Sequence, residues 1–280
     1  ALLKTGKMPD PFFGDNEYQA KALMEEDYEY RTVFNYEEAQ FKDCQEVILR
    51  FDGIDTIADI YLNGCCLGKV DNMHRIWEFP VGELLENGNL LCSFSEPGRQ
   101  NPNGLAFSSS GIVELDWDSN IVWKHEDPMH DCHDRCRLRN GNTLYLRYAP
   151  LTPEEQAKVQ GGTPGTEPGG QMYTFEMIEV TPDGKEVDNL RLADILDPEI
   201  DIFTPHATRE VWPGLNSVEE LADGRIISTS YNMSMIYIWN RKERKVDWRY
   251  GNKPNKQISF PHDPTELENG NILVLSLIHI

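Results

Sequence analysis

The chain has 280 residues, enough for one large domain or two small ones. Its 47 acidic and 26 basic residues give a formal net charge of −21, which disfavours nucleic acid and anionic membrane surfaces as partners. Hydrophobic residues make up 39% of the sequence, which permits a core. The sequence shows no secretory signal pattern and no apolar run of the roughly 18 residues that a membrane helix needs. The cellular compartment is therefore left open.

The first third of the sequence predicts short strands joined by tight turns. Strands are predicted by alternation at 28–34, 46–51, 56–62, 77–81 and 90–94. Asn63-Gly64 and Asn87-Gly88 are hairpin signals, because both residues of such a pair tolerate positive φ. Residues 18–27 fit a short helix or an irregular segment. Many short strands at this spacing predict a β-sandwich over residues 1–97.

Beyond a proline- and glycine-rich junction at 98–108, one phrase occurs three times, beginning at His133, Asn216 and His262. Each copy has a leucine five residues after its first position and a glycine eight residues after it. The Asn-Gly or Asp-Gly pair makes each copy a hairpin, and a second hairpin follows or precedes it. Two hairpins form the four-stranded blade of a β-propeller, so residues 109–275 are predicted to form about three blades.

Equivalent positions of successive blades point toward the same end of a propeller channel. We therefore expect His133, Asn216 and His262 to lie close together, although they are far apart in sequence. The alternative is that a polar residue at each strand start only caps a turn or bonds to the neighbouring blade. The sequence leaves both interpretations open.

Histidine, cysteine and glycine clusters elsewhere in the sequence bear on metal or cofactor binding. Residues 130–136 offer histidine and cysteine side chains, but the two-residue period of a strand sends neighbours to opposite faces. The six cysteines show no disulfide framework. Residues 161–170 are glycine-rich without phosphate-loop spacing, so a binding loop and an ordinary insertion both remain open. We predict no metal site and no cofactor.

Several motifs in the first third are specific in combination. They are Pro-Phe-Phe-Gly-Asp-Asn-Glu at 11–17, Asp-Tyr-Glu-Tyr-Arg at 27–31, Phe-Asp-Gly-Ile-Asp-Thr at 51–56, Ile-Tyr-Leu-Asn-Gly at 60–64 and Asp-Asn-Met-His-Arg at 71–75. Residues 8–97 thereby resemble the N-terminal sugar-binding jelly-roll domain of β-mannosidases. The resemblance implies carbohydrate contact, not glycoside hydrolysis. The hydrolytic carboxylate pair must flank one bond across roughly 5–10 Å, and its barrel domain has no counterpart here.

Residues 105–275 resemble the arylsulfotransferase family of six-bladed propellers. The motifs are at 109–118, 133–142, 161–170, 196–199, 216–221 and 262–271. The family moves a sulfuryl group from a phenolic sulfate ester to a phenol through a histidine, without a nucleotide donor. The resemblance implies that His262 is the sulfated residue and that His133 and Asn216 hold sulfuryl oxygens. The predicted substrate-binding residues are Tyr231, Asp134 and Asp263.

Two positions depart from that family. Gly214 stands where the family has a histidine, two residues before the matched asparagine. Tyr231 stands near the position of an arginine, whose fork suits sulfate oxygens better than one hydroxyl does. Both departures put transfer activity in doubt.

The predicted fold is all-β: a partial jelly-roll sandwich at 1–97, a junction at 98–108 and a partial propeller at 109–275. Residues 276–280 break the blade pattern and match a translated sequencing adaptor, so they are expected to be a non-native tail. The change near Pro97 favours a chimera of two gene fragments over a natural fusion. The predicted function is aryl sulfate-to-phenol sulfuryl transfer, and the alternative is a carbohydrate-binding module or a β-mannosidase fragment.

Overall fold

The computed structural model describes residues 6–10, 15–24, 29–32, 34, 46–54, 57–62, 65–72, 74–84, 87–101, 104–105, 107–251, 258–267 and 269–276. The chain divides into two compact units, residues 1–41 and 42–280. The first unit contains helix α1 (Asn16–Met24), near the helix considered from the sequence. The described residues of the predicted strand at 28–34 are not in a strand, so that prediction is wrong for them. The Asn63-Gly64 turn and residues 277–280 of the tail lie outside the described residues.

The second unit is nearly all-β, as predicted. Its first five strands are β1 (Glu46–Phe51), β2 (Ala58–Leu62), β3 (Cys65–Val70), β4 (Trp77–Leu84) and β5 (Leu90–Phe94). Strands β6 (Gly111–Leu115), β7 (Ile121–Glu126), β8 (His130–Arg137), β9 (Thr143–Pro150), β10 (Gly161–Thr163), β11 (Tyr173–Val180) and β12 (Glu186–Arg191) follow. The remainder are β13 (Phe203–Thr208), β14 (Val211–Trp212), β15 (Glu219–Glu220), β16 (Ile226–Ser230), β17 (Met235–Asn240), β18 (Lys245–Gly251), β19 (His262–Glu266) and β20 (Ile272–Leu275). Helix α2 (Pro153–Lys158) and short 3-10 turns at Pro168–Gly170 and Leu192–Asp194 interrupt them.

The repeat forms blades. Strands β8, β9, β11 and β12 make one antiparallel sheet, here called the first blade, with the two-residue β14 added in parallel to β11. Strands β15 to β18 make a second four-stranded antiparallel sheet, the second blade. Strands β19 and β20 pair as the described part of a third. The prediction of a partial propeller of about three blades is confirmed.

The blades bury both of their faces, which explains why strand β11 is apolar at most positions rather than alternating. Successive strand residues point to opposite faces, so a sheet packed on both sides needs apolar residues at both. The largest core cluster includes Phe175, Trp212 and Trp239. A second cluster, with Ile112 and Ile178, covers the other face of the first blade. A third lies between the second blade and β20.

One sheet spans the predicted junction. Strands β1, β4, β5, β6 and β7 form a single five-stranded sheet, in which Leu90 to Phe94 pair with Leu115 to Gly111. Hydrogen bonds therefore connect strands from both sides of 98–108. The boundaries at 97 and 109 stay predictions.

The sheet that contains β5 carries a fourth copy of the repeat turn. Asn87 and Asn89 both donate from their side chains to Glu114, at 3.1 and 2.7 Å. Asn140 and Asn142 of the first blade donate to Glu179 in the same way, at 2.9 and 2.5 Å. The two carboxylates also occupy equivalent registers, opposite Leu91 and Leu144. This copy was not predicted, because the N-terminal resemblance already accounted for residues 87–94.

Candidate functional site

The starts of three blade strands converge. The Asn216 amide donates to the carbonyl of Pro261, next to His262, at 3.0 Å. The backbone N–H of Val218 donates to the Asp134 carboxylate, next to His133. His133 also interacts electrostatically with His262. His133, Asn216 and His262, with these neighbouring residues, are here called the histidine site. The chemical roles assigned to these residues stay predictions.

His133 is held by a carboxylate. Its Nδ1 lies 2.8 Å from Asp131 Oδ1, and 28% of its side chain is exposed. The Phe107 ring covers it at a centroid distance of 4.3 Å. Burial lowers the pKa of His133, but the charge and hydrogen bond of Asp131, helped by Glu210 and Asp134, overcome this and raise it above its usual value.

His262 lies in a different environment. Its Nδ1 hydrogen-bonds to the carbonyl of Phe260 at 3.0 Å, and the Tyr231 ring meets it edge-on at 5.7 Å. Burial lowers the pKa of His262, the carbonyl bond raises it, and the positive charge of His133 lowers it further, with a net decrease. The lowered pKa favours the neutral form of His262, in which Nδ1–H donates to the carbonyl and Nε2 has a lone pair.

Asn216 is oriented by two contacts. Its Oδ1 accepts from the Thr229 hydroxyl at 2.6 Å, while its Nδ2 donates to Pro261. The second N–H on Nδ2 makes no hydrogen bond to the described residues. Asn216 therefore connects the segment before β15 to β16 and to the residue that precedes β19.

Carboxylates crowd the histidine site. Asp134 accepts the backbone N–H groups of Val218 and Arg135, so its main contacts are structural. Burial raises the pKa of Asp134 to about 6, and burial with nearby Asp263, Asp134 and Glu266 raises that of Glu219 to about 7. Burial also raises the pKa of Asp263. Glu219 was not predicted, because only the approach of three strands brings it to the other acids. When ionised, these groups oppose the binding of an anion.

Gly214 and Tyr231 are the two positions that depart from the sulfotransferase pattern, and their surroundings differ. Gly214 has φ of +68°, and a Cβ there would lie 2.5 Å from Asn232 Nδ2. A histidine therefore does not fit at this position without local rearrangement. Tyr231 is 42% exposed and packs on Phe260 at a centroid distance of 4.6 Å. It presents one hydroxyl beside the histidines, where an arginine would add positive charge.

The other histidine and a cysteine of the stretch at 130–136 lie in buried or covalently bonded positions. His130 is fully buried, with Nδ1 2.5 Å from Ser109 Oγ. Cys132 is disulfide-bonded, which the sequence did not predict because spacing does not reveal spatial neighbours. Among the described residues, no group of three or more His, Cys, Asp or Glu side chains is arranged to hold a metal ion.

The glycine-rich segment is anchored rather than loose. Arg209 binds Glu167 at 2.6 Å and donates to the carbonyls of Val159 and Gly161. An open cavity of about 410 Å³ beside it is lined by Leu151, Pro153, Gln156, Ala157, Gly170, Gln171 and Arg209. These lining residues do not include any predicted site residue.

The turn before β4 brings Asn72, Arg75 and Trp77 together. The Asn72 carbonyl accepts from the Trp77 indole at 3.1 Å, and its side chain accepts the His74 N–H at 2.8 Å. The Arg75 guanidinium lies 4.6 Å from the centre of the Trp77 ring. An aromatic face, a guanidinium and backbone polar groups are therefore combined in one turn. None of the helices in the described residues is long and apolar enough to cross a membrane.

The N-terminal part of the chain is similar to a known domain family. Residues 1–103 match the glycosyl hydrolase 2 galactose-binding domain-like family. The jelly-roll resemblance of the first third is thus confirmed.

Curated relatives match the same part. The chain is 35% identical over 85 residues to β-mannosidase B of Neosartorya fischeri, which is 30% of this chain and 10% of that protein. It is 31% identical over 91 residues to β-mannosidase of Mus musculus, 32% of this chain and 10% of that protein. It is 38% identical over 91 residues to β-mannosidase B of Thermothelomyces thermophilus, with the same two shares. The matched part spans about a tenth of the length of these relatives.

Two solved structures align with most of the chain at low similarity. A Bacteroides caccae protein of unknown function has a TM-score of 0.38 and 15% identity, with 83% of this chain and 67% of that chain covered. Virginiamycin B lyase from Staphylococcus aureus has a TM-score of 0.35 and 9% identity, with 83% and 89% covered. Scores this low carry no conclusion about function.

Proposed function

We propose that the N-terminal part of this chain is a carbohydrate-binding module of the β-mannosidase type. The match of residues 1–103 to a galactose-binding domain-like family is the observation that carries the proposal. In this proposal the Trp77 ring, with Arg75 packed on it, supplies apolar surface for a sugar, and the Arg75 guanidinium supplies donors for its hydroxyls.

The test is titration of the full chain with methyl β-mannoside and methyl β-galactoside, followed through the tryptophan indole N–H signals by NMR. We expect the Trp77 signal to shift with a Kd of about 1 mM, roughly 4 kcal/mol of binding free energy. The signal of Trp212, which is 2% exposed, is expected to stay in place. A Trp77 signal that does not move with either sugar would contradict the proposal.

Arg75→Ala provides the mutational arm of this test. Loss of a charged hydrogen bond is expected to weaken binding about tenfold. Arg244→Ala is the matched control, since 51% of the Arg244 side chain is exposed and it lies in the second blade. Equal affinities for both variants would mean that the sugar binds elsewhere.

We propose sulfuryl transfer as a second candidate function, because His262 Nδ1 hydrogen-bonds to a carbonyl, burial lowers the pKa of His262, and the neighbouring His133 has a raised pKa. The His262 Nε2 lone pair would form the N–S bond while the S–O bond of the aryl sulfate breaks and the phenolate oxygen takes a proton from His133. Protonation of Asp134 and Glu219 would reduce repulsion of the anion, so the reaction is favoured below the Glu219 pKa of about 7.

We expect a chromogenic aryl sulfate, mixed with the protein near pH 6, to release one phenol per protein and leave a sulfuryl group on His262. Peptide mass spectrometry locates the adduct. His262→Ala should carry no adduct, while His74→Ala, an exposed histidine outside the histidine site, should carry as much as the wild type. An unlabelled wild type, or a His262→Ala variant that is still labelled, would exclude this function.

A further inference from the structure

The carboxylate of Asp131 is buried next to His133 and bonds to its ring. Asp131 is 0% exposed and is absent from the residues that the sequence assigns to the site. We propose that Asp131 is a positioning residue that keeps the proton of His133 on Nδ1 and makes this histidine the proton donor opposite a neutral His262. The role of His133 as a proton donor rests on the proposed sulfuryl transfer. The effect of Asp131 on the tautomer and charge of His133 does not depend on that reaction.

The contacts of Asp131 leave the His133 ring little freedom. One carboxylate oxygen, Oδ1, accepts both the backbone N–H of His133 at 2.9 Å and its Nδ1–H at 2.8 Å. The other oxygen accepts the hydroxyl of Tyr148, which is 3% exposed. Because both oxygens of the Asp131 carboxylate accept hydrogen bonds, its orientation is fixed. It holds the His133 ring at Nδ1, so Nε2 is the ring nitrogen that gains or loses a proton. Nε2 makes no hydrogen bond to the described residues.

The segment before β6 covers this pair. Asp131 forms an antiparallel bridge with Ser108, and the N–H of Cys132 donates to the Phe107 carbonyl at 2.8 Å. These bonds place the Phe107 ring over His133. With water partly excluded, the attraction between the carboxylate and an imidazolium is stronger than at a surface.

The two histidines differ in what their Nδ1 atoms meet. His133 meets a full negative charge, and His262 meets only the partial charge of a carbonyl. The other titratable groups that face His133 are Asp134 on the same strand, Glu210 before β14 and His262 on β19. Two neighbouring imidazolium ions repel each other, so the carboxylate beside His133 favours the positive charge on that histidine.

In the reaction, the Nε2–H of His133 is given to the departing phenolate oxygen as the S–O bond breaks. His133 becomes neutral and stays in place through Asp131. When an acceptor phenol attacks the sulfur, the same Nε2 takes the phenol proton while the N–S bond to His262 breaks. The cycle returns both histidines to their starting protonation states.

The test is an NMR titration of the histidine rings in the full chain, without substrate. We expect the pKa of His133 to lie above 6.5, the ordinary value for a histidine. Asp131→Asn keeps the shape and removes the charge, so it should lower the pKa of His133 by about 1–3 units. The pKa of His262 should rise in the same variant, because the neighbouring positive charge is lost. Asp183→Asn, in the exposed turn before β12, is the matched control and should shift neither histidine.

Tyr148→Phe separates positioning from general disruption. Removing the hydroxyl takes away a competing hydrogen bond to the Asp131 carboxylate and strengthens its attraction for His133, so the pKa of His133 should rise by roughly half a unit. Shifts of opposite sign in the two variants are not expected from loosened packing. The proposal is overturned if His133 titrates alike in the wild type, Tyr148→Phe and Asp131→Asn, or if both variants shift it in the same direction.

The titration and the labelling experiment fail independently. Opposite shifts without sulfuryl labelling would retain Asp131 as the residue that sets the charge of His133 and reject the transfer reaction. Labelling of His262 without those shifts would retain the reaction and reject Asp131 as a positioning residue.

Discussion

Asp201→Ala is expected to lower the free energy of unfolding by about 3–5 kcal/mol, because it removes a buried carboxylate and leaves a partly buried arginine without its counter-charge. Asp201 is 0% exposed, and its two carboxylate oxygens accept Arg249 Nε and Nη2 at 2.8 and 2.9 Å. It also accepts the Tyr237 hydroxyl at 3.1 Å and the Asp197 N–H at 2.8 Å. One carboxylate thus ties the segment before β13 to strands β17 and β18 of the second blade.

Urea unfolding of Asp201→Ala at unchanged m-value measures this loss, and the melting temperature should fall by roughly 10 °C. Glu243→Ala is the matched control. Its ion pair with Lys245 is more than half exposed on both sides, so its loss should cost under about 1 kcal/mol. If both variants lost the same small amount, the Asp201 network would not contribute to the stability of the blade.

Glu179→Ala is expected to cost a similar 3–5 kcal/mol, since Glu179 is 5% exposed and joins two blades. It accepts the amides of Asn140 and Asn142 from its own blade and a guanidinium N–H of Arg241 from the second blade. Without it, two side-chain amides and one charge lose their partner in a partly dry interface.

A double-mutant cycle tests the origin of that loss. Glu179→Ala/Arg241→Ala should be more stable than Glu179→Ala by about 1 kcal/mol, because the arginine that would keep only the more distant Asp188, at 3.8 Å, is gone. Glu114→Ala, which removes the equivalent acceptor of Asn87 and Asn89, should lose about as much as Glu179→Ala. A double variant less stable than Glu179→Ala would show that Arg241 stabilises the interface through contacts other than this pair.

The sequence by itself determined the all-β class, the turns and the repeat. Asn-Gly and Asp-Gly pairs specify tight turns locally, and a fixed spacing between a leucine and a glycine is visible without any contact. For the same reason the strands that flank those turns were predicted close to their positions. The grouping of His133, Asn216 and His262 also followed from the repeat, because equivalent positions of blades meet at one end.

Only the tertiary structure decided which groups surround those residues. Asp131 and Tyr148 lie 17 positions apart and meet because β8 and β9 pair, and Glu219 becomes a high-pKa acid only where β15 approaches β8 and β19. The fourth copy at Asn87 became evident from its bonds to Glu114, 25 to 27 residues away. Burial and charge at a site depend on strands that are remote in sequence, and no local pattern encodes them.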